Sequence, residues 1–498
     1  MTAETYPSAI PIPREQDASS LSSRRGVAIL SLLCLVQFMD ILDASILNIA
    51  LPSIKRDLGF TQESLQWVVN GYILTYGGFL LLGGRVADLL GRRRVMVTGL
   101  VVFATSSLVG GLAQSESLLV GARFAQGLGA AMLSPAALST LTTIFRSGRD
   151  RNTALGAWAA VSGVGGAAGV LFGGLLTEGP GWRWVLFVNV PFAAVALIGS
   201  FLLLKGERAS ARLANFDALG AFLVTGGMLL LVYSLVKAPD VGWGAARTVG
   251  GLALAGALLV GFVVNELRTS NPLVPMSILR VKGVAVADAT QLVAVAGFLP
   301  MFFFLTLYMQ TVLGYSPIQT GVAYLPLTAG FIVASSISSQ LFARIGTKPV
   351  IVAGTVVAAA GLYWLSRIPV DGSYVSDLLP GLVVSSIGLG GVFVGATTAA
   401  NAGVSEDKAG LAAGLLNTGT QLGGALGLAI LSALATARTT SVLHAGEATV
   451  AHAATEGFQL ALLVGACFVL AAGGVALLAR NTRQAAPVTE EEPVRLVA

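Results

Sequence analysis

Gly84-Arg85-Val86-Ala87-Asp88-Leu89-Leu90-Gly91-Arg92-Arg93-Arg94 is a short, strongly charged break between two long apolar runs, one starting near Ser64 and the next near Val95. About 20 apolar residues in a helix cross the roughly 30 Å hydrocarbon core of a bilayer, so the stretch reads as a tight turn joining two membrane spans. Outward from it in both directions, runs of that length recur. They start near Val27, Ser64, Val95, Leu118, Asn152, Trp182, Phe216, Thr248, Gly283, Ile318, Pro349, Val375, Gly410 and Glu456. The pattern predicts an all-α polytopic membrane protein with fourteen transmembrane helices.

Composition agrees. Of 498 residues, 55% are hydrophobic and 11% charged, whereas a soluble domain carries about 25% charged residues. The excess apolar surface faces lipid. Cys34 and Cys467 lie inside apolar runs and read as small hydrophobes rather than a disulfide or metal pair. The net charge of +5 does not indicate nucleic acid, because the basic residues occupy alternate loops. On the side of the termini fall 22 of the 30 Lys and Arg, 7 fall on the other side, and Arg123 lies within a span. That bias places both termini in the cytoplasm. The first apolar run is too long, and begins too late, for a cleavable signal peptide. The polar arm before it and the tail with Glu490, Glu491 and Glu492 are expected to be disordered.

An internal repeat is visible. Gly165, Gly169 and Gly173 stand one turn apart in the fifth span, and 254 residues later Gly419, Gly423 and Gly427 do so in the thirteenth. Gly91, Arg93 and Val95 shifted by 255 give Gly346, Lys348 and Val350, again in a turn between a second and a third helix. The offsets predict two homologous six-helix halves, residues 27–204 and 283–480. Residues 205–282 form a linker with two inserted helices, and residues 1–26 and 481–498 are arm and tail. Secondary transporters built from parallel repeats bind substrate between the halves near the midplane.

Asp43 lies in the first span, with Asp40 one turn before it on nearly the same face. A carboxylate there costs about 2.5 to 3.5 kcal/mol, so both are expected to point inward. Burial beside a like charge favours the protonated form, which is what a proton carrier needs. Pro52 is expected to close this helix, which leaves a position near the outer interface open as the plainer reading. Arg123 is expected to face the interior too, with a structural ion pair or snorkelling as its simpler explanation. Trp67, Asn70 and Tyr72 in the second span, Tyr308 and Gln310 in the ninth, and Asn417 and Gln421 beside the second glycine series read either as cavity groups or as interface anchors and interhelical partners. Asp217 and Asp288 are placed near the cytoplasmic surface, and His444 and His452 in the last outer loop, where solvation accounts for them. No nucleophile–base or metal-ligand set stands out, and no Gly-x-x-x-x-Gly-Lys-Ser/Thr sequence occurs. An enzyme and an ATP-driven pump are both disfavoured.

The turn from Gly84 to Arg94 resembles the signature loop between helices 2 and 3 of the major facilitator superfamily. Arg123 with Gln126, Gly127 and Gly129 resembles that superfamily's fourth-helix motif, and Gly165, Gly169, Gly173 and Gly174 resemble its antiporter motif. Asp43-Ala44-Ser45-Ile46-Leu47-Asn48-Ile49-Ala50-Leu51-Pro52, and Trp182-Arg183-Trp184 through Asn189 and Pro191, are similar to the fourteen-helix branch, the drug:proton antiporters. One departure is Val170, which stands where the antiporter motif has a proline that would remove an amide hydrogen bond and bend the helix. The resemblance implies a major facilitator fold in a bacterial inner membrane, working as a monomer without a cofactor, driven by protons and exporting small amphipathic or cationic drug-like molecules. It also implies that Arg123 joins Asp43 and Asp40 in proton coupling, and that Gly84, Arg85, Asp88, Gly91, Arg92 and Arg93 form a conformational latch. Ala343 takes the place of Asp88 in the second half, so the latch is expected on one side only. A uniporter or importer of a metabolite with the same fold is the alternative, which Val170 favours weakly.

Overall fold

The computed structural model describes residues 21, 23–145, 148–204, 217–270, 272–274, 278–281, 283–401, 404, 409–445, 449–479 and 481. The arm and tail expected to be disordered fall almost wholly outside these residues, as do the side chains of Asp88 and Ala343. The chain is all-helical: α1 Arg24–Leu58, α2 Gln62–Leu90, α3 Arg92–Gly111, α4 Glu116–Ile144 and α5 Gly148–Glu178, then α6 Trp184–Leu203. Next come α7 Ala218–Val241 and α8 Ala246–Arg268, α9 Val284–Val312 and α10 Pro317–Phe342, α11 Thr347–Leu365, α12 Tyr374–Ala400, α13 Ala409–His444 and α14 Val450–Ala476. Among the described residues thirteen of these are long and apolar enough to cross a membrane. The remaining one, α2, has 29 residues and packs along α4 and α13.

Helix ends follow local chemistry. Thr61 and Ser64 form a capping box that starts α2, and Ser316 with Gln319 starts α10 in the same way, each satisfying amides that a helix start leaves unpaired. The tight turns after α2 and α10 pass through Gly91 (φ 96°) and Gly346 (φ 88°), a backbone region that L side chains rarely adopt. Pro52 does not close α1, as its sequence position suggests. The helix continues to Leu58 and ends at Gly59 (φ 77°), whose N–H returns to the Lys55 carbonyl. Running past Pro52 forfeits one backbone hydrogen bond, while the turn beyond it buries Ile54 in the core.

The repeat is visible in the packing. In the first half α1 packs on α4, α5 and α6, α2 on α4, and α3 on α4 and α6. Adding eight to each number gives the second half: α9 on α12, α13 and α14, α10 on α12, and α11 on α12 and α14. The glycine series share that register. A β-carbon at Gly165, Gly169 or Gly173 would meet the carbonyl oxygens of Phe38, Leu42 and Ile46 in turn, and one at Gly419, Gly423 or Gly427 those of Asp288, Leu292 and Ala296. Close backbone approach is what small residues allow.

α7 and α8 pack on each other, with α7 against α2 and α13 and the Thr225 hydroxyl donating to the Gly78 carbonyl at 2.9 Å. Asp217 is not simply solvated: it caps α7 by accepting from Gly220 N–H at 2.8 Å and from Asn265 Nδ2 at 2.5 Å. Glu266, 4% exposed, accepts from the amides of Leu273 at 3.3 Å and Val274 at 2.8 Å. It ties the connector to α9.

Candidate functional site

Both aspartates of α1 are buried, Asp40 at 2% and Asp43 at 0% exposure. Although they stand one turn apart, their partners differ in kind. Asp43 Oδ2 pairs with Arg123 Nη1 at 2.7 Å, while its Oδ1 accepts from Gln126 Nε2 at 2.8 Å and Asn189 Nδ2 at 2.7 Å. Four helices, α1, α3, α4 and α6, meet here, since the Ser107 hydroxyl accepts from Gln126 at 3.2 Å and Asn189 at 3.1 Å. Arg123 also donates from Nε to the Val68 carbonyl at 3.0 Å and from Nη1 to Gln126 Oε1 at 2.7 Å. Its guanidinium carbon lies 4.3 Å from the Tyr72 ring centroid. The guanidinium is therefore held by a carboxylate, two oxygens and an aromatic face, the combination that makes burying a charge tolerable.

Asp40 faces hydroxyls instead. Tyr72 and Tyr76 each donate to one of its oxygens at 2.7 Å, and Tyr76 makes further polar contacts with Ser134 and Asn417. The link from Asp40 through Tyr76 to Asn417 runs from the first half to α13 of the second. Hydroxyls serve a carboxylate or a carboxylic acid, whereas an ion pair with arginine holds the carboxylate.

Above this cluster lies a cavity of ≈ 90 Å³ between the halves, lined among others by Asn48, Tyr72, Arg123, Leu299, Phe303 and Gln421. Arg123 is the group that carries the Asp43 network to the cavity wall. Drug-sized ligands occupy about 300–1,000 Å³, so this arrangement is closed around the cavity. It is also sealed on the face opposite the termini. There a β-carbon at Gly174 would lie 2.7 Å from the Pro317 carbonyl oxygen and one at Gly321 2.5 Å from that of Val170, Gln310 Nε2 donates to the Ile49 carbonyl at 2.9 Å, and Ile318 N–H donates to Glu178 at 3.1 Å.

The other expected cavity residues fall elsewhere. Trp67 stacks between Phe124 and Tyr233, with centroids at 6.0 and 6.2 Å, in a lateral groove beside α7. Tyr308 donates to the Pro369 carbonyl at 2.5 Å. Asn70 is fully buried with neither amide atom paired within the protein. Asp288 lies four residues after the start of α9 at Val284 and is half-buried; its carbonyl faces Gly419 as that of Phe38 faces Gly165. Sequence reading did not single out Tyr76, one turn after Tyr72. Nor did it give a site role to Gln126, one turn after Arg123, or to Asn189; polar residues at helical spacing inside apolar runs are the signal.

At the turn between α2 and α3, Arg92 Nη1 donates to Thr143 at 2.5 Å and Arg93 Nη2 to the Phe201 carbonyl at 3.3 Å, with its guanidinium over the Phe201 ring. In the second half Lys348 Nζ donates to the Leu477 carbonyl at 2.5 Å. In each half the basic turn is anchored to the last helix of that half. The glycine fixed by packing is Gly83, where a β-carbon would collide with the Ala131 carbonyl; one at Gly84 would rest 3.5 Å from Pro135.

Comparison with known proteins agrees with this architecture. Residues 33–428 match the Major Facilitator Superfamily. The chain is 42% identical over 414 residues to the puromycin resistance protein pur8 of Streptomyces alboniger, covering 82% of this chain and 81% of that protein. It is 42% identical to the cephamycin export protein CmcT of Amycolatopsis lactamdurans, covering 81% and 83%, and 33% identical to the multidrug resistance protein Stp of Mycobacterium tuberculosis, covering 82% and 75%. Among solved structures it shares its fold with an inward-facing bacterial homologue of the lysosomal transporter Spinster, at a TM-score of 0.64 and 16% identity over 92% of this chain and 97% of that one. The match over most of its length, the paired six-helix packing and the antibiotic-export relatives together establish that the chain belongs to the major facilitator superfamily, in its fourteen-helix drug-transporter branch.

Proposed function

We propose that the protein exports antibiotics and similar amphipathic or cationic molecules in exchange for protons, with both termini in the cytoplasm. The observation that carries the reading is the buried pair of acids behind the Tyr72 and Arg123 wall of the cavity, one bonded to arginine and the other, among the described residues, to hydroxyls without a cation. Asp43 with Arg123 forms the fixed charge pair, and Asp40, the acid without a cation, takes the proton. When Asp40 is protonated, the tyrosine hydroxyl on the oxygen that takes the proton turns from donor to acceptor. Tyr72 lies under the Arg123 guanidinium and Tyr76 reaches Asn417 across the half interface, so the proton's arrival alters the cavity wall or the contact between halves according to the oxygen it binds. Substrate enters when the halves part and enlarge the cavity.

The driving force suffices. A potential of about 100 mV is worth about 2.3 kcal/mol per proton charge, and one pH unit adds about 1.4 kcal/mol. Together they sustain a substrate gradient of several hundredfold for each proton exchanged. The puromycin resistance protein pur8 makes puromycin a suitable probe. In proteoliposomes an imposed proton gradient is expected to drive it uphill, and added puromycin is expected to move protons in the opposite direction. Probe movement indifferent to the gradient would replace this reading with a uniporter.

A further inference from the structure

Asp288 is a half-buried acid with no part in the cluster just described. It lies on α9, the first helix of the second half, at the position of Phe38 in the first, two residues from the counterpart of Asp40. The two halves therefore present a carboxyl at nearly the same depth on equivalent helices. Asp288 is half-buried, and its Oδ1 is fully buried without a hydrogen-bond partner. Eleven residues, close to three turns, separate it from Leu299 on the cavity wall, so it lies on the cavity-facing stripe of α9 toward the terminal face. One turn along, Gln291 donates to Thr420 of α13 at 3.3 Å, while its own Oε1 is buried and unpaired. One turn before Thr420 is Asn417, which contacts Tyr76, the donor to Asp40. Buried unpaired acceptors are rare and costly, and two of them, Asp288 Oδ1 and Gln291 Oε1, stand one turn apart on α9.

No described cation balances Asp288. α1 meets α9 at Pro300–Leu307, and α12, α13 and α14 pack along it toward the terminal face. Their halves toward the terminal face, from Leu379 on in α12, up to Gln421 in α13 and from Gly457 on in α14, contain no Asp, Glu, Lys or Arg, and Cys467 is their one titratable group. Arg280 and Lys282 precede α9, with side chains outside the described residues.

We propose that Asp288 is a second proton-binding carboxyl of the transporter, exchanging with the solution at the terminal face and linked to Asp40 through Gln291, Asn417 and Tyr76. The proton passes between the acids over water held by these polar atoms: one carboxylic acid becomes a carboxylate as the other carboxylate is protonated, and Asp288 then releases the proton to water. The proposal rests on the proton-coupled reading above.

The test begins without substrate. Purified protein in nanodiscs is stepped between alkaline and acid pH, and proton uptake is counted with an indicator dye while infrared difference spectra report carboxyl protonation. Asp288→Asn and Asp40→Asn are each expected to take up one proton fewer than wild type, and Asp288→Glu as many. Uptake by Asp288→Asn equal to wild type overturns the proposal. Should that variant fail to assemble, Asp288→Glu decides, because its infrared carboxyl band must shift if residue 288 titrates; an unshifted band overturns the proposal. In proteoliposomes, Asp288→Asn is expected to flatten the dependence of puromycin flux on terminal-side pH, from about tenfold per pH unit, the slope of one titrating group, to less than about twofold. Wild type without proton-driven puromycin flux sinks the exporter reading itself. Proton-driven flux in wild type with an unchanged Asp288→Asn sinks only the role of Asp288.

Discussion

Replacing Arg123 by Met removes the cation from a pair in which neither partner has more than 2% of its side chain exposed. Asp43 is then left with two neutral amide donors, Gln126 and Asn189, and breaking a buried pair from one side typically costs about 3–5 kcal/mol. Asp43→Asn strands the guanidinium instead. The Tyr72 face at 4.3 Å and the Val68 carbonyl remain to it, and a desolvated cation–π contact is worth about 2 kcal/mol, so this loss is the smaller, roughly 2–3 kcal/mol by the same reasoning. The double variant carries no charge at the site and is expected to lose less than the two single losses combined. The cycle then yields a coupling energy of about 2–3 kcal/mol, at the upper end for residues in one network. Unfolding of the three variants and wild type by denaturant titration in a fixed mixed micelle measures it. Additive losses, with coupling under about 0.5 kcal/mol, would refute the reasoning that these two side chains balance each other's charge.

Further expectations concern packing and gating. Gly83→Ala drives a methyl into the Ala131 carbonyl and is expected to cost about 1–3 kcal/mol as overpacking, whereas Gly84→Ala, with its nearest neighbour at 3.5 Å, leaves thermal stability close to wild type; equal melting temperatures would contradict this. Gly174→Leu is expected to prop open the seam between α5 and α10 beside Pro317. Spin-label distances across that seam should lengthen, and unchanged distances would show that it does not depend on close approach. Asp57→Ala breaks an ion pair to Arg183 whose side chains are 46% and 37% exposed, so a change within about 1 kcal/mol is expected. A larger loss would point to the Trp182 Nε1 hydrogen bond at 2.9 Å as the main contribution.

Much of the fold was legible because lipid enforces simple rules. Each span needs an apolar run of fixed length, and expected and observed helix starts agree within a few residues except for α14, where Val450 precedes Glu456. The glycine series announced the repeat because only a missing side chain permits the approach of Gly173 to Ile46 and Gly427 to Ala296. Pro52 does not mark the end of α1 because a single missing hydrogen bond is outweighed by the burial of Ile54 beyond it. The charged core was legible for the same reason as the spans: Asp40, Asp43 and Arg123 are too costly to face lipid. Their division into one ion pair and one hydroxyl-bonded acid was not, since Asp40 and Asp43 differ by a single turn and the sequence does not say which helix each faces. The two readings open for Trp67 and Tyr308 could not be separated in the sequence because aromatic character does not specify a helix face; in the structure one meets Tyr233 of α7 and the other the Pro369 carbonyl. Asp288 does lie early in its helix, as its sequence position implies; that one of its oxygens is buried without a partner depends on the packing around it.

The central claim is that Asp40 carries the proton that drives export. Proteoliposomes containing Asp40→Asn, assayed with puromycin both down its own gradient and against it under an imposed proton gradient, test this most directly. The account predicts that downhill exchange persists while proton-driven accumulation and puromycin-induced proton movement disappear. Wild-type accumulation by Asp40→Asn under the proton gradient would contradict it.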